Sequence, residues 1–522
     1  MLLTRKSERH YANNSVTSKR AMREANIAKV EYGDWQTSMP LAKAVCDKLY
    51  ERGWRRSVII EPTCGTGNFA MAALEVFKNT LKKVYCVEIN REYVEEAERR
   101  LLNAPKADGV EIEYINGDIF GLDLDKLKIG NQEEVVVLGN PPWVTNSKMG
   151  RIEGRNLPKK TNYKKMRGID AITGKGGYDI AESVIVKLAS ELPSDGNVKM
   201  ALLVKTSVVK SIVETVARGM LHDIVQENID TKQEFGAAVS ACLFTASTGT
   251  GGKTCEVRDF YTGKHLLKYG WEKGKFVSDI DKYSRVNEID GKSQLEWRSG
   301  LKHDCSKVME LKKCDNGYVN GLGERVEIED DMVFPLMKSS DLCGGRCDKP
   351  RSYVIVPQRF AGEETSMLQT THPLAYSYLE KHSEMLDKRK SSIYKGKPRF
   401  SIFGIGDYSF SPHKIAIAGL YGSPKFMMID EIDGKSVILD DTCYQLAFNS
   451  RRNAEAIYKL LTDKMVGDFI ETVSFADSKR KISKSLLMRI DLLKVAERML
   501  RERKLTPKET QEVMMTLTSK IG

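Results

Sequence analysis

Asn140-Pro141-Pro142-Trp143 follows a short apolar run, Val135 to Gly139, that reads as a buried strand. An Asn, two prolines and an aromatic at a strand end make a stiff cup suited to a flat ring carrying an exocyclic amine. Such an amine is a poor nucleophile, because its lone pair is delocalised into the ring. The Asn140 side-chain oxygen and the Pro141 backbone carbonyl are two acceptors that can pull on its hydrogens. They would draw the nitrogen towards tetrahedral geometry while Trp143 stacks on the ring face. The bland alternative is a Pro-rich turn that only closes a strand.

Such a cup needs a scaffold and a donor. Val58 to Ala70 reads as an apolar strand, a Gly-rich turn and a helical stretch. Gly65 and Gly67 allow positive φ and close backbone approach to a ligand. Ala70 stands where the dinucleotide fingerprint has its third glycine, so helix and strand could pack closely there. Lys83 to Glu88 is a second apolar run ending in an acid, and Glu88 follows Gly67 by 21 residues. That spacing brings a carboxylate to ribose hydroxyls at the end of the next strand. A third run, Tyr114 to Asp118, also ends in an acid, and Asp118 could accept from an adenine amino group. These strand ends line one sheet edge, the usual ligand site in such folds.

The order of these segments resembles the S-adenosylmethionine-dependent DNA adenine-N6 methyltransferases of the gamma group, the TaqI-type enzymes of restriction–modification. The matching segments are Tyr32 to Ser38, Glu61 to Ala70, Val87-Glu88, Gly117-Asp118 and Gly139 to Trp143. More loosely, Phe235 to Ser240 resembles the second aromatic segment. The resemblance implies a Rossmann-like α/β domain, a mostly parallel sheet with helices on both faces, followed by a C-terminal α+β target-recognition domain. It implies S-adenosylmethionine as cofactor, held by Thr37, Glu61, Pro62, Cys64, Gly65, Gly67, Glu88, Ile89, Asp118, Ile119 and Asn140. It implies catalysis by Asn140, Pro141, Pro142 and Trp143, with Phe235 as a second stacking ring. Trp143 stands where the family usually has Tyr, so the cup of this chain has no hydroxyl at that position. Enzymes that hold a pyrophosphate use a third glycine at the helix start, where this chain has Asn68-Phe69-Ala70.

At 522 residues and 41% hydrophobic composition the chain has material for two to four domains. The expected division is a basic arm at 1–30, a methyltransferase domain at 31–265 and a target-recognition domain at 266–522. Thr37 or Ser38 is expected to cap a helix beginning near Pro40. Thr254 to Phe260 reads as a return strand, and Leu486 to Met515 as an amphipathic helical stretch packing on its own domain. No run of 18 apolar residues predicts a membrane span, and no apolar signal core opens the chain. A monomer in a prokaryotic cytoplasm is the expectation. The ten cysteines look scattered and reduced. Cys343 and Cys347, with His303, Cys305 and Cys314, have spacings unlike common zinc ribbons. No metal is expected, because a sulfonium methyl is already electrophilic.

The formal charge of +11 gains meaning from its distribution. Lys148, Arg151, Arg155, Lys159, Lys160, Lys164 and Lys165 follow the cup within a glycine-containing stretch, 144–178. It reads as a long basic loop for phosphate contact, against the alternative of a disordered insertion. Lys388, Arg389, Lys479 and Arg480 belong to basic runs near aromatics, a texture suited to nucleic acid. Double-stranded DNA is therefore the expected partner, with a separate restriction endonuclease as a possible second. Competing readings are an RNA or protein-glutamine N-methyltransferase, a nucleotide enzyme, and a DNA-binding module without activity.

Overall fold

The computed structural model describes residues 35–54, 57–104, 109–127, 129, 133–144, 179–194, 197–236, 238–315, 317–475 and 480–518. The arm at 1–30, the loop cations Lys148, Arg151, Arg155, Lys159, Lys160, Lys164 and Lys165, and Lys479 lie outside the described residues. The chain divides into two units between Phe276 and Val277.

The strands of the first unit are β1 (Val58–Glu61), β2 (Lys83–Glu88), β3 (Glu111–Asn116), β4 (Val135–Gly139), β5 (Val198–Lys205), β6 (Leu221–Ile229), β7 (Ala241–Thr248), β8 (Thr254–Asp259), β9 (His265–Glu272) and β10 (Lys275–Val277). They form one sheet in the order β10-β9-β8-β6-β7-β5-β4-β1-β2-β3. Strands β1 to β5 run parallel, and β7 runs against both β5 and β6. Val and Ile dominate the centre because these strands are covered on both faces, and β1, β4 and β7 are buried at every position. The chain leaves β1 for β2 and β3 on one side and returns to β4 on the other. This reversal opens a crevice at the carboxyl ends of β1 and β4.

The helices that frame this crevice are α1 (Met39–Glu51), α2 (Asn68–Val76), α3 (Arg91–Leu102), α4 (Ile180–Glu191), α5 (Thr206–Thr215) and α6 (Thr231–Phe235). Ser38 is the residue that caps α1, its hydroxyl accepting from Leu41 N at 3.4 Å. The apolar faces of α1 to α3 pack with Ile59, Val84, Val136 and Leu203 into one core. Strand β8 is the return strand expected at Thr254 to Phe260. With β7 hydrogen-bonded on both sides, it has no open edge, and β8 lies parallel to β6 instead. Strand β9 then pairs antiparallel with β8, which carries the unit to Phe276 rather than to 265.

The second unit is α+β. One sheet runs β11 (Arg298–Ser299), β20 (Cys443–Phe448), β17 (His413–Ala418), β18 (Phe426–Ile429). The other runs β14 (Arg325–Val326), β13 (Gly317–Asn320), β12 (Glu310–Cys314), β16 (Ser352–Ile355), β15 (Val333–Met337), β19 (Ile438–Leu439). The expected C-terminal helical stretch is divided by the Asp491 cap and by Pro507 into a short turn, α7 (Leu492–Arg501) and α8 (Pro507–Thr518). Their apolar residues Leu487, Ile490, Val495 and Val513 join the core over β17 and β20. Among the described residues no helix is long and apolar enough to cross a membrane.

Candidate active site

Asn140 leaves the end of β4 with its amide pinned. Its Nδ2 donates to the Trp35 carbonyl at 2.7 Å and to Thr37 Oγ1 at 3.1 Å. A carbonyl oxygen can only accept, so the NH₂ end must face Trp35 and the oxygen must face away. Oδ1 is buried and has no partner among the described residues. A buried acceptor without a partner costs about 1–3 kcal/mol, so a donor is missing here. The 35–37 segment is held in turn by Asn68, whose Nδ2 donates to Thr37 O at 2.6 Å. Arg100 on α3 then donates to Asn68 Oδ1 and to Thr66 O, both at 2.7 Å.

Asn140 and Pro142 wall a cavity of about 250 Å³ at the crevice. Glu61, Pro62, Cys64 and Gly65 line it from the end of β1, Glu88 and Ile89 from β2, and Asp118 and Ile119 from β3. Thr37 lines it too, so the expected cofactor residues other than Gly67 meet around one space. Gly67 works from behind. Its φ is +80°, and a Cβ there would fall 3.3 Å from Ala97 and 3.2 Å from Leu101 on α3. Gly65 has φ +51°, and a Cβ would fall 2.9 Å from the Gln36 amide. Trp35, Asn68, Asn90, Tyr93, Phe120 and Val184 are among the wall residues that were not foreseen as site residues. Asn68 was the readable one, since a polar side chain directly after the second glycine sits at the head of α2.

The carboxylates are oriented by backbone. Glu88 accepts from Gly65 N through Oε2 and from Asn90 N through Oε1, both at 2.9 Å. Asp118 Oδ1 accepts from Phe120 N at 3.0 Å. Glu61 accepts from Ala70 N at 2.9 Å, and burial pushes its carboxyl well above the usual carboxylate range. The head of α2 is therefore taken by an acid, where a pyrophosphate would need free N–H groups. A nucleotide enzyme fits this arrangement poorly. A ligand with hydroxyls for Glu88, a flat ring beside Ile89 (40% exposed) and no phosphate fits it well.

Trp143 corrects an expectation. Its ring is 7% exposed and is not part of the cavity wall. The indole N–H donates to Leu203 O at 3.1 Å, and the ring meets Phe235 edge-on at 4.9 Å. Phe235, at the end of α6, is the more open of the two rings. Pro141 is buried, and Pro142 rather than Pro141 faces the cavity. Behind the turn, Lys205 donates to Trp143 O at 3.3 Å and forms an ion pair with Asp179, the cap of α4.

The cations of the second unit differ in freedom. Arg389 is not a free phosphate ligand. It donates to Leu386 O, His303 O and Ser401 O and lies over the Tyr394 ring, so it is a tie within its own unit. Arg480 is bound to Asp441 and Lys388 to Glu384, both at the surface. Cys305 is buried and Cys343 exposed, and among the described residues no group of three His, Cys, Asp or Glu could hold a metal.

The chain is 40% identical over 471 residues to Type II methyltransferase M.NspV of Nostoc sp., covering 89% of this chain and 97% of that protein. It is 21% identical over 504 residues to Type II methyltransferase M.BanIII of Aneurinibacillus aneurinilyticus, covering 84% of each. Among solved structures, the Type IIL restriction-modification enzyme MmeI in complex with DNA has a TM-score of 0.51 at 13% identity, over 95% of this chain and 74% of that one. That likeness concerns the fold alone. No protein-family model matches.

Proposed function

This chain belongs to the Type II methyltransferase family, and on that premise we propose that it methylates N6 of adenine in duplex DNA as the modification enzyme of a restriction–modification system. The observation that carries the reading is the buried, unpartnered Oδ1 of Asn140, held on the cavity wall by Trp35 and Thr37. The N–H of an extruded adenine amine supplies the missing donor. An exocyclic carbonyl, as on thymine or guanine, would set acceptor against acceptor.

S-adenosylmethionine supplies a methyl group already made electrophilic by its sulfonium. The chain's own task is positioning and electrostatics. Glu88, oriented by Gly65 and Asn90, keeps lone pairs for ribose hydroxyls, and Asp118 accepts from a cofactor amino group. Ile89 and Ile119 give the cofactor ring an apolar bed. Asn140 Oδ1 takes one amine hydrogen and the Pro141 carbonyl is assigned the other, although Pro142 and not Pro141 lines the cavity, so the nitrogen lone pair turns out of the ring. As the N–C bond forms, the methyl–sulfur bond breaks with its electron pair going to sulfur, so a neutral thioether leaves, and the nitrogen, now strongly acidic, gives its proton to water. Extruding the base costs a few kcal/mol, and stacking on an aromatic ring returns about 1–3 kcal/mol. Phe235 offers the open ring face, with Trp143 fixed behind it. The second unit reads the target sequence.

Transfer of tritium from labelled S-adenosylmethionine to duplex DNA, RNA or protein tests this directly. Label in DNA alone supports the reading. Label in RNA or protein alone replaces it with one of the other amine or amide methyltransferases.

A further inference from the structure

The β17–β18 hairpin of the second unit carries two apolar side chains outward. Ile417 pairs with Phe426 at its last rung, and residues 419–425 form the tip. Leu420 is 42% exposed and Tyr421 41%. Single exposed apolar residues are common on any surface and need no explanation. Here three further observations apply.

The base of the tip is tied to its neighbours. Gly419 N donates to Thr442 O at 2.8 Å, and Ile482 N donates to Gly419 O at 3.3 Å. A Cβ on Gly419 would fall 2.9 Å from both Thr442 O and the Tyr444 ring, so the backbone is wedged between two neighbours. The tip is also flanked by cations. A Cβ on Gly422 would fall 2.7 Å from Lys481 Nζ, and one on Gly345 would fall 3.1 Å from Lys425 Nζ. Finally, neither Lys425 nor Lys481 has an acidic partner among the described residues. In this they differ from Lys388 and Arg480.

An aromatic and an aliphatic tip between unneutralised lysines complements a polyanion that also exposes flat, apolar edges. We infer that this tip enters a groove of the target duplex, with Tyr421 and Leu420 against base edges and Lys425 and Lys481 against the flanking phosphates. Tyr421 is then a specificity-determining residue. This rests on the reading of the chain as a DNA methyltransferase. Apolar contact with a thymine methyl and polar contact from the Tyr421 hydroxyl both discriminate among base pairs in the major groove.

The test begins with wild-type protein, whose methylated sites on a mixed-sequence plasmid are mapped by sequencing that reports modified bases. Rates are then compared on that site and on duplexes with one base pair changed, for wild type, Tyr421→Ala and Leu420→Ala. The expected result is a fall of about tenfold in the preference of Tyr421→Ala for the true site, with cofactor affinity unchanged. Lys425→Gln and Lys481→Gln should each lower the salt slope of DNA binding by about one without altering preference. Hydroxyl-radical footprinting of the wild-type chain should show Tyr421 protected only when target duplex is present. Unchanged preference in Tyr421→Ala, or a Tyr421 oxidised equally with and without duplex, overturns the inference. Protection of Tyr421 without DNA would assign the tip to a protein contact and also overturn it. A wild type that marks no DNA would instead overturn the function on which the inference rests.

Discussion

Asn140 Nδ2 stands 2.7 Å from the Trp35 carbonyl oxygen, although 105 residues separate them in the chain. That contact fixes which end of the Asn140 amide faces Trp35. The segment before α1 is thus part of the cup, and a chain of hydrogen bonds through Thr37, Asn68 and Arg100 ties the cup to α2 and α3.

Asn140→Ala removes the side-chain acceptor that the proposal assigns to the amine. Loss of one such preorganised group lowers kcat by about 10²–10³ in comparable sites. Cofactor affinity should change little, because the cavity wall around Glu88 and Asp118 is untouched. Single-turnover methylation and calorimetric titration with S-adenosylmethionine separate the two effects.

Thr37→Val keeps the volume and removes one of the two acceptors that hold Asn140 Nδ2. A neutral hydrogen bond contributes about 0.5–1.5 kcal/mol, so kcat should fall by about three- to tenfold. The Asn68 contact uses the Thr37 carbonyl and survives the change. Cofactor KM should therefore move less than kcat, and steady-state kinetics at saturating DNA reads both.

Glu88→Ala takes away a carboxylate that two backbone N–H groups orient. Hydrogen bonds to a charged group contribute about 1.5–3 kcal/mol. Cofactor affinity should weaken by about ten- to a hundredfold, readable by calorimetry. An unchanged affinity would remove Glu88 from the cofactor site.

Lys205→Met leaves Asp179 buried without its ion-pair partner. Removing one member of a buried pair costs about 3–5 kcal/mol of stability. The Asp179 carboxyl already lies above its ordinary value, burial outweighing the pull of Lys205. A folded-state value above the unfolded one means the native state holds the proton more tightly, so stability falls as pH rises through that window. Without Lys205 the folded value climbs further. The variant's deficit in Tm should therefore grow with pH above about 4, the unfolded carboxylate value, and Asp179→Asn should relieve it in the double variant.

Much of the crevice was readable in the sequence because its residues stand at strand ends. Apolar runs mark strands, and the residue after each run must lie at one sheet edge, which brought Glu61, Glu88, Asp118 and Asn140 together. Long-range partners are invisible to local patterning. Nothing near Trp143 reveals that the Leu203 carbonyl will take its N–H, or that Phe235 will pack against its ring. Arg389 misled for the same reason. A basic run looks like a phosphate surface until three distant and near carbonyls claim its guanidinium. The path of β8 beside β6 depended on which sheet edge remained open, a property of the assembled sheet rather than of any segment.

The most direct measurement is nucleoside analysis of mixed-sequence duplex DNA after incubation with S-adenosylmethionine bearing a deuterated methyl group. The prediction is labelled N6-methyldeoxyadenosine with wild type and an initial rate of labelling lower by about 10²–10³ with Asn140→Ala. Label on cytosine instead would contradict the choice of adenine, and equal adenine labelling by the two proteins would contradict the role given to the Asn140 oxygen.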